Sequence, residues 1–360
     1  MNEILSIAAL GEFTSLGCLY DSREQLFIND IRLFNFTKLP ENTVQIVIPN
    51  GHSYYKLSKE DTYSKKFELM NISGDLAIKV ACLPFFVKGS AKYLNEFKKS
   101  NNSIKWDLLY SRTTCNELID LQGIYEYYKS NDLNLNESFF EGATHVVTGI
   151  SWGSNAVLSI EYENKKNESA HLIESLLSLK FEYLNIGLSA SNTISNNHNN
   201  ENLSENFKCE IKADISDLET VCTNLEQAFE MFKNLPDKVK QYNNGKGTQI
   251  EFHLSSLNKI RKIFQMNIKC EIIRNLESDF YDRITNLFQE IILIKQKYSA
   301  DIVQDLEQRE ISLKSKIYKE IINFKKGVNG SSLQTIQNIF RDLEQLKVNK
   351  PIDNSVKLIN

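Results

Sequence analysis

No apolar run in this chain approaches the roughly 18 residues of a membrane-spanning helix; the longest is Val80 to Val87, VACLPFFV. An integral helical membrane protein is thereby excluded. Positive charge is not in excess either: 42 Lys and Arg stand against 46 Asp and Glu, for a formal net charge of -4. No long-range field gathers nucleic acid or anionic lipid, so nucleic acid is not an expected partner and any membrane contact must be local. The start, MNEILSIAALGEF, has no basic segment and carries Glu3 where a secretion signal is positive. Without a signal peptide, a soluble protein made in the cytosol is expected, with release and membrane association following activation. The six cysteines, Cys18, Cys82, Cys115, Cys209, Cys222 and Cys270, lack the short paired spacing of a zinc site or disulfide scaffold and are expected as reduced core residues. The five histidines never pair at helical or finger spacing, so no metal site is expected.

Motifs of catalysis are missing too. There is no nucleophile elbow, no dinucleotide glycine pattern and no phosphate loop. Lys246 in Asn244-Gly245-Lys246-Gly247-Thr248 lacks the first glycine of such a loop and precedes a strand rather than a helix. His145 reads as a hydrogen-bonded structural histidine. The chain is therefore expected to be no enzyme, with no catalytic residue and no cofactor.

What is present is an α+β pattern. At 360 residues the chain is too long for one ordinary core, and two units are expected, residues 1–255 and 256–350, with a tail over 351–360. The first unit alternates apolar and polar residues with the period of half-buried strands. Ile104, Trp106, Leu108 and Tyr110 mark one face; Val146, Thr148, Ile150 and Trp152 mark another, which resumes at Ala156, Leu158, Ile160 and Tyr162. Gly153-Ser154-Asn155 between them predicts a hairpin turn. Further alternations at Cys209, Ile211, Ala213 and at Ile250, Phe252, Leu254 predict more strands, the latter after the turn at Asn243–Gly247. Helices are predicted over 57–72 and 168–184, followed by a polar tract over 189–206. Beyond Ser255 the period becomes helical: Leu276, Phe280, Ile284, Leu287 and Ile291 step along one stripe. A second helix follows Ser299 and Asp301, and a third follows Ser331 and Ser332, predicting a small antiparallel bundle.

The stretch Gly142–Ser154, GATHVVTGISWGS, resembles the perforin signature, with Thr144 and His145 followed by Trp152 and Gly153; Val146 replaces its aromatic residue and Ser154 its second glycine. Ala9-Leu10-Gly11, Leu16–Asp21 and Gly89–Asn95 are similar, in order, to motifs of the stonustoxin and verrucotoxin branch of that superfamily. The resemblance implies a bent, twisted antiparallel central sheet flanked by two helical clusters, then a helical bundle like a focal-adhesion-targeting domain. It implies a pore-former that oligomerises and inserts β-hairpins from the two clusters. A lipid membrane, further copies or a paired homologous subunit, and downstream domains or a protein partner are the partners so implied. Glycine tolerates a strained sheet bend, which points to Gly149 and Gly153 as hinges.

A spanning hairpin needs strands of about 9 to 11 alternating residues. Leu76, Ile78 and Val80 alternate, but Pro84, Phe85 and Phe86 break the period; Leu184, Ile186 and Leu188 alternate, but their flanks do not. These residues other than Pro84, eight in all, are the candidate inserting clusters. The alternative expectation is a non-lytic interaction module on the same fold, the N-terminal part of a longer multidomain protein.

Overall fold

The computed structural model describes residues 4–49, 53–72, 74–83, 87–98, 103–163, 173, 207–222, 224–267, 269–295, 300–328, 330 and 333–348. Their strands form one antiparallel sheet around two long neighbours, β6 (Ser103–Ile119) and β7 (His145–Glu163). Their ladder runs from Ser103 opposite Glu163 to Leu118 opposite Gly149. Two short strands, β4 (Val44–Val47) and β5 (Tyr54–Ser58), share the far edge of β6. On the far edge of β7, β8 (Phe207–Ala213) pairs with residues 156–162 and β10 (Thr248–Ser256) with residues 145–153. The sheet is completed by β9 (Thr220–Cys222) on β8, β1 (Ile4–Ala8) on β10, and the hairpin of β2 (Cys18–Asp21) and β3 (Leu26–Arg32) against the start of β7.

The expected turn at Gly153-Ser154-Asn155 does not form. These residues lie inside a single 19-residue strand, because β6 runs unbroken beside them and pairs with both halves. Nor is β7 half-buried; both its faces are covered. Ala156, Leu158, Ile160 and Tyr162 pack with Trp106, Leu108 and Tyr110 under α4 (Leu225–Lys233) and α5 (Leu235–Gln241). Val157, on the opposite face, joins Leu109 in a cluster with α1 (Tyr63–Leu69) and α2 (Gly74–Cys82). Near its start, Val146 packs with α3 (Leu121–Ser130) and α6 (Leu257–Phe264).

The helix expected over 57–72 begins later. Leu57 and Ser58 are held in β5 opposite Leu108 and Asp107, and Thr62 caps α1, its Oγ1 accepting from the Lys65 N–H at 3.3 Å. The C-terminal helices α7 (Ser278–Lys295), α8 (Ala300–Lys326) and α9 (Leu333–Val348) follow the expected period. Phe280, Ile284, Leu287 and Ile291 of α7, Ile317 and Ile321 of α8 and Ile336 of α9 form one cluster with Phe67, Ile78 and Val80. A continuous core thus joins these helices to α1 and α2. The predicted helix over 168–184 and the polar tract after it lie outside the described residues, except Ile173, which is helical and buried with Trp106 and Cys209.

Candidate functional site

The perforin-like motif occupies the lower half of β7, where three strands crowd. At Gly153 the far-edge partner of β7 changes: β10 ends its pairing there at Thr248, and β8 begins opposite Ala156. On the other edge the β6 register shifts between Thr113 and Cys115. A Cβ on Gly153 would lie 1.8 Å from the Arg112 carbonyl oxygen, so only glycine lets the backbones approach this closely. Gly247, at φ +78°, sits against Gly153 in the same way, its virtual Cβ 2.2 Å from the Gly153 carbonyl oxygen. Trp152 closes the site: its indole N–H donates to Glu117 Oε2 at 2.9 Å, and Lys246 Nζ pairs with Glu117 Oε1 at 2.6 Å. Just above, Asp214 accepts from the N–H groups of Ser90 at 3.0 Å and Asn155 at 2.8 Å, tying the Gly89–Asn95 motif to β7. Gly149 is less crowded, facing the Leu118 side chain at 2.7 Å.

Thr144 and His145 lie at the start of the strand. Thr144 Oγ1 accepts from the Ser22 N–H at 2.8 Å and lies 2.8 Å from His145 Nδ1. Beside it, Arg23 donates to both oxygens of Asp21 at 2.8 Å, to Glu271 at 2.8 Å and to the Gly142 carbonyl at 3.1 Å. The motif thus ties the β2–β3 hairpin, β7 and the segment leading to α7 together. Burial pushes His145 down from 6.5 to about 4, against a smaller opposing pull from Asp21. The unfolded chain therefore takes up this proton first as pH falls, so the neutral residue's contribution is complete above about 6.5 and gone by about 4. Between pH 7 and pH 5 the protein is expected to lose about 2 kcal/mol through this residue. Urea unfolding of the parent and of His145→Gln checks this: equal losses in both would contradict the assignment.

Leu76, Ile78 and Val80 lie on α2 as a buried helix rather than as a strand. The loop joining β2 to β3 holds this helix in place. Lys79 Nζ donates to the Gln25 carbonyl at 2.5 Å, Lys326 of α8 pairs with Glu24, and Tyr318 of α8 donates to the Glu24 carbonyl at 2.9 Å. At the start of α2, Asp75 pairs with Lys325 and accepts from the Tyr281 hydroxyl at 2.9 Å. A cavity of about 770 Å³ opens beside that start, bounded by β1, Thr144, His145, α6 and Tyr281. The helix is therefore clamped by α7 and α8, and only its first turn, Gly74–Leu76, borders this cavity. Phe85, Phe86, Leu184, Ile186 and Leu188 lie outside the described residues.

The structure gathers Thr144 with His145, and Trp152 with Gly153, at two ends of one half-strand; Leu76 lines the same cavity as Thr144 and His145, and Ile78 and Val80 do not. Sequence reasoning missed Gly247, Glu117, Asp214 and Arg23. A glycine next to a predicted strand was the one available signal, and the Asn243–Gly247 turn had already accounted for it. Among the described residues no three His, Cys, Asp or Glu side chains gather to hold a metal ion, and no helix is long and apolar enough to cross a membrane.

With this geometry the comparisons with known proteins agree. The profile described as "SNTX, MACPF/CDC-like domain" matches residues 5–271. Cytolytic toxin-beta of Scorpaena plumieri is 27% identical over 238 residues, covering 65% of this chain and 33% of its own length. Stonustoxin subunit beta of Synanceia horrida is 24% identical over 358 residues, covering 95% of this chain and 49% of its own. A solved stonustoxin structure aligns with 96% of this chain and 46% of that one, at a TM-score of 0.57 and 19% sequence identity, which establishes a shared fold. This chain spans a third to a half of the length of these relatives.

Proposed function

The chain belongs to the SNTX, MACPF/CDC-like domain family, and from that premise we propose that it is a perforin-like pore-forming protein that oligomerises and inserts β-hairpins from two helical clusters. One observation carries the reading. Four adjacent antiparallel strands meet their connections at the same side of the sheet, at Ser58 of β5, Ser103 of β6, Glu163 of β7 and Phe207 of β8. The two connections, 59–102 and 164–206, each join neighbours of this sheet by way of β5–β6 and β7–β8. Straightening either connection would extend an existing pair of strands, and each is long enough for two strands of about 10 residues. Along such an extension Leu76, Ile78 and Val80 would face lipid while Ala77, Lys79 and Ala81 faced water.

Gly149 and Gly153 are the proposed hinges of the bent sheet. The edge strand β4 leaves Ile46 60% and Val47 43% exposed, with Ile48 beyond it 77% exposed, an apolar edge suited to another copy or a homologous subunit. Relatives carry names such as Stonustoxin subunit beta, which favours a paired subunit. The family's members are named as toxins rather than enzymes, which supports a non-enzymatic role. A second reading, a non-lytic interaction module, is favoured by the shared core of α2 with α7 and α8, because burying residues such as Ile78 and Val80 contributes roughly 1.5–3 kcal/mol each and opposes release.

Dye-loaded vesicles of varied lipid composition test the choice. The chain, alone or mixed with a homologous subunit, is expected to release the dye and to show rings by electron microscopy. Stable capture of a protein partner with neither leakage nor rings in any mixture would favour the interaction module.

A further inference from the structure

The outer edge of β8 is paired by a very short strand. Thr220, Val221 and Cys222 of β9 stand opposite Ile211, Glu210 and Cys209. Directly opposed residues of an antiparallel ladder have Cα atoms about 4.5–5.5 Å apart and side chains on one face. Disulfides form at Cα separations of about 4.4–6.8 Å. Both thiols are free and turn inward, Cys209 1% and Cys222 5% exposed, within the same apolar cluster. Other strand cysteines have no such neighbour: Cys18 is opposite Arg32 and Cys115 opposite Trp152.

We propose that Cys209 and Cys222 are an oxidation site whose cross-strand disulfide locks β9 onto β8. Burial raises both thiols, Cys209 to about 12, with Cys222 the next contributor to that rise. Neither ionises readily while the strand is closed, so exchange proceeds when β9 lifts. A three-residue edge strand with Val221 72% exposed belongs to the easily opened part of a fold. Cys222, on the moving strand, attacks a small-molecule disulfide such as oxidised glutathione, forming a mixed disulfide and releasing one small thiol. The Cys209 thiolate then attacks the Cys222 sulfur and expels the second small thiol. The two protein thiols are oxidised, the small disulfide is reduced, and both protons end on the two released thiols. If the assembly reading holds, the lock also matters to function, because β8 can pair with a strand of another copy only when β9 has left that edge.

The test treats the whole chain with oxidised glutathione, then denatures, alkylates, digests and weighs the peptides. The expected product links the Cys209 and Cys222 peptides, two hydrogens lighter than the reduced pair, and is reversed by dithiothreitol. Amide exchange across β9 should slow on the order of a hundredfold, as cross-linking a loop of this length implies. Cys222→Ser and Cys222→Val should lose both effects. Full alkylation of both cysteines after oxidation, a persistent glutathione adduct on Cys222, or linkage of either to another cysteine would overturn the proposal. Vesicle leakage is measured separately: it should fall in the oxidised parent, return on reduction, and ignore the oxidant in Cys222→Ser. Leakage unchanged by a formed disulfide would overturn the functional lock, and leakage absent from every sample would count against the assembly reading while the peptide assay still decides the disulfide.

Discussion

Gly153→Ala is expected to be the most damaging single substitution in the sheet, lowering stability by more than about 4 kcal/mol or preventing folding altogether. The added Cβ would sit 1.8 Å from the Arg112 carbonyl oxygen, with the Arg112 carbonyl carbon at 2.9 Å and Thr113 Cα at 3.0 Å behind it. Backbone cannot step aside as a side chain does. To admit the methyl group, β6 and β7 must separate where their register already shifts, and the loss spreads into the Gly153–Thr248 end of β10. Gly149→Ala provides the comparison. Its Cβ would meet the end of Leu118 at 2.7 Å and His253 only at 3.0–3.1 Å, contacts with side chains rather than backbone, so a cost of about 1–2 kcal/mol is expected. Soluble yield and urea unfolding of the two variants check the order; equal effects would show that the strands do not approach so closely at Gly153.

Lys66→Met is expected to cost about 3 kcal/mol and to loosen α1 from the sheet. Lys66 is fully buried, 3.0 Å from Asp61 and 3.8 Å from Asp107, and it donates to the carbonyls of Tyr93 at 3.2 Å and Glu96 at 2.7 Å. Its ammonium also lies 4.2 Å from the centre of the Tyr93 ring. Methionine fills the space but leaves two buried carboxylates short of one cation, and removing one partner of a buried pair typically costs about 3–5 kcal/mol. The lower end applies because Lys105 stays near both acids, 3.7 Å from Asp61 and 3.9 Å from Asp107. Adding Asp61→Asn to Lys66→Met should recover part of the loss. A double variant as unstable as the sum of the singles would show the two residues to be uncoupled.

Much of this architecture is legible from residue spacing. The alternation at Trp106, Leu108 and Tyr110 and at Leu158, Ile160 and Tyr162 marks neighbouring strands whose apolar residues share one face of the sheet, and the stripe Phe280–Ile284–Leu287–Ile291 marks a real helix. Gly153-Ser154-Asn155 misleads because turn propensity is local, whereas the neighbour that keeps the strand continuous, Arg112–Thr113, lies some forty residues away. Buried lysines mislead similarly. Lysine is almost never fully buried unless paired, and only the fold brings Asp61, Asp107 and the Gln25 carbonyl to meet Lys66 and Lys79. The clamp on α2 joins Asp75 to Lys325 and Glu24 to Lys326, pairs that no local pattern could match. The site motif was visible as letters, but its role in tying Arg23, Glu271 and Gly142 together required the tertiary contacts.

The claim that Asp75–Cys82 exchanges its helix for a membrane strand has a direct measurement. Single-cysteine variants along this segment, each labelled with an environment-sensitive fluorophore, are read in solution and again after incubation with vesicles. Strong blue shifts are expected at positions 76, 78 and 80 with little change at 77, 79 and 81, the two-residue period of a barrel wall. An unchanged helical pattern in the presence of membrane, or shifts recurring every three to four residues, would contradict it.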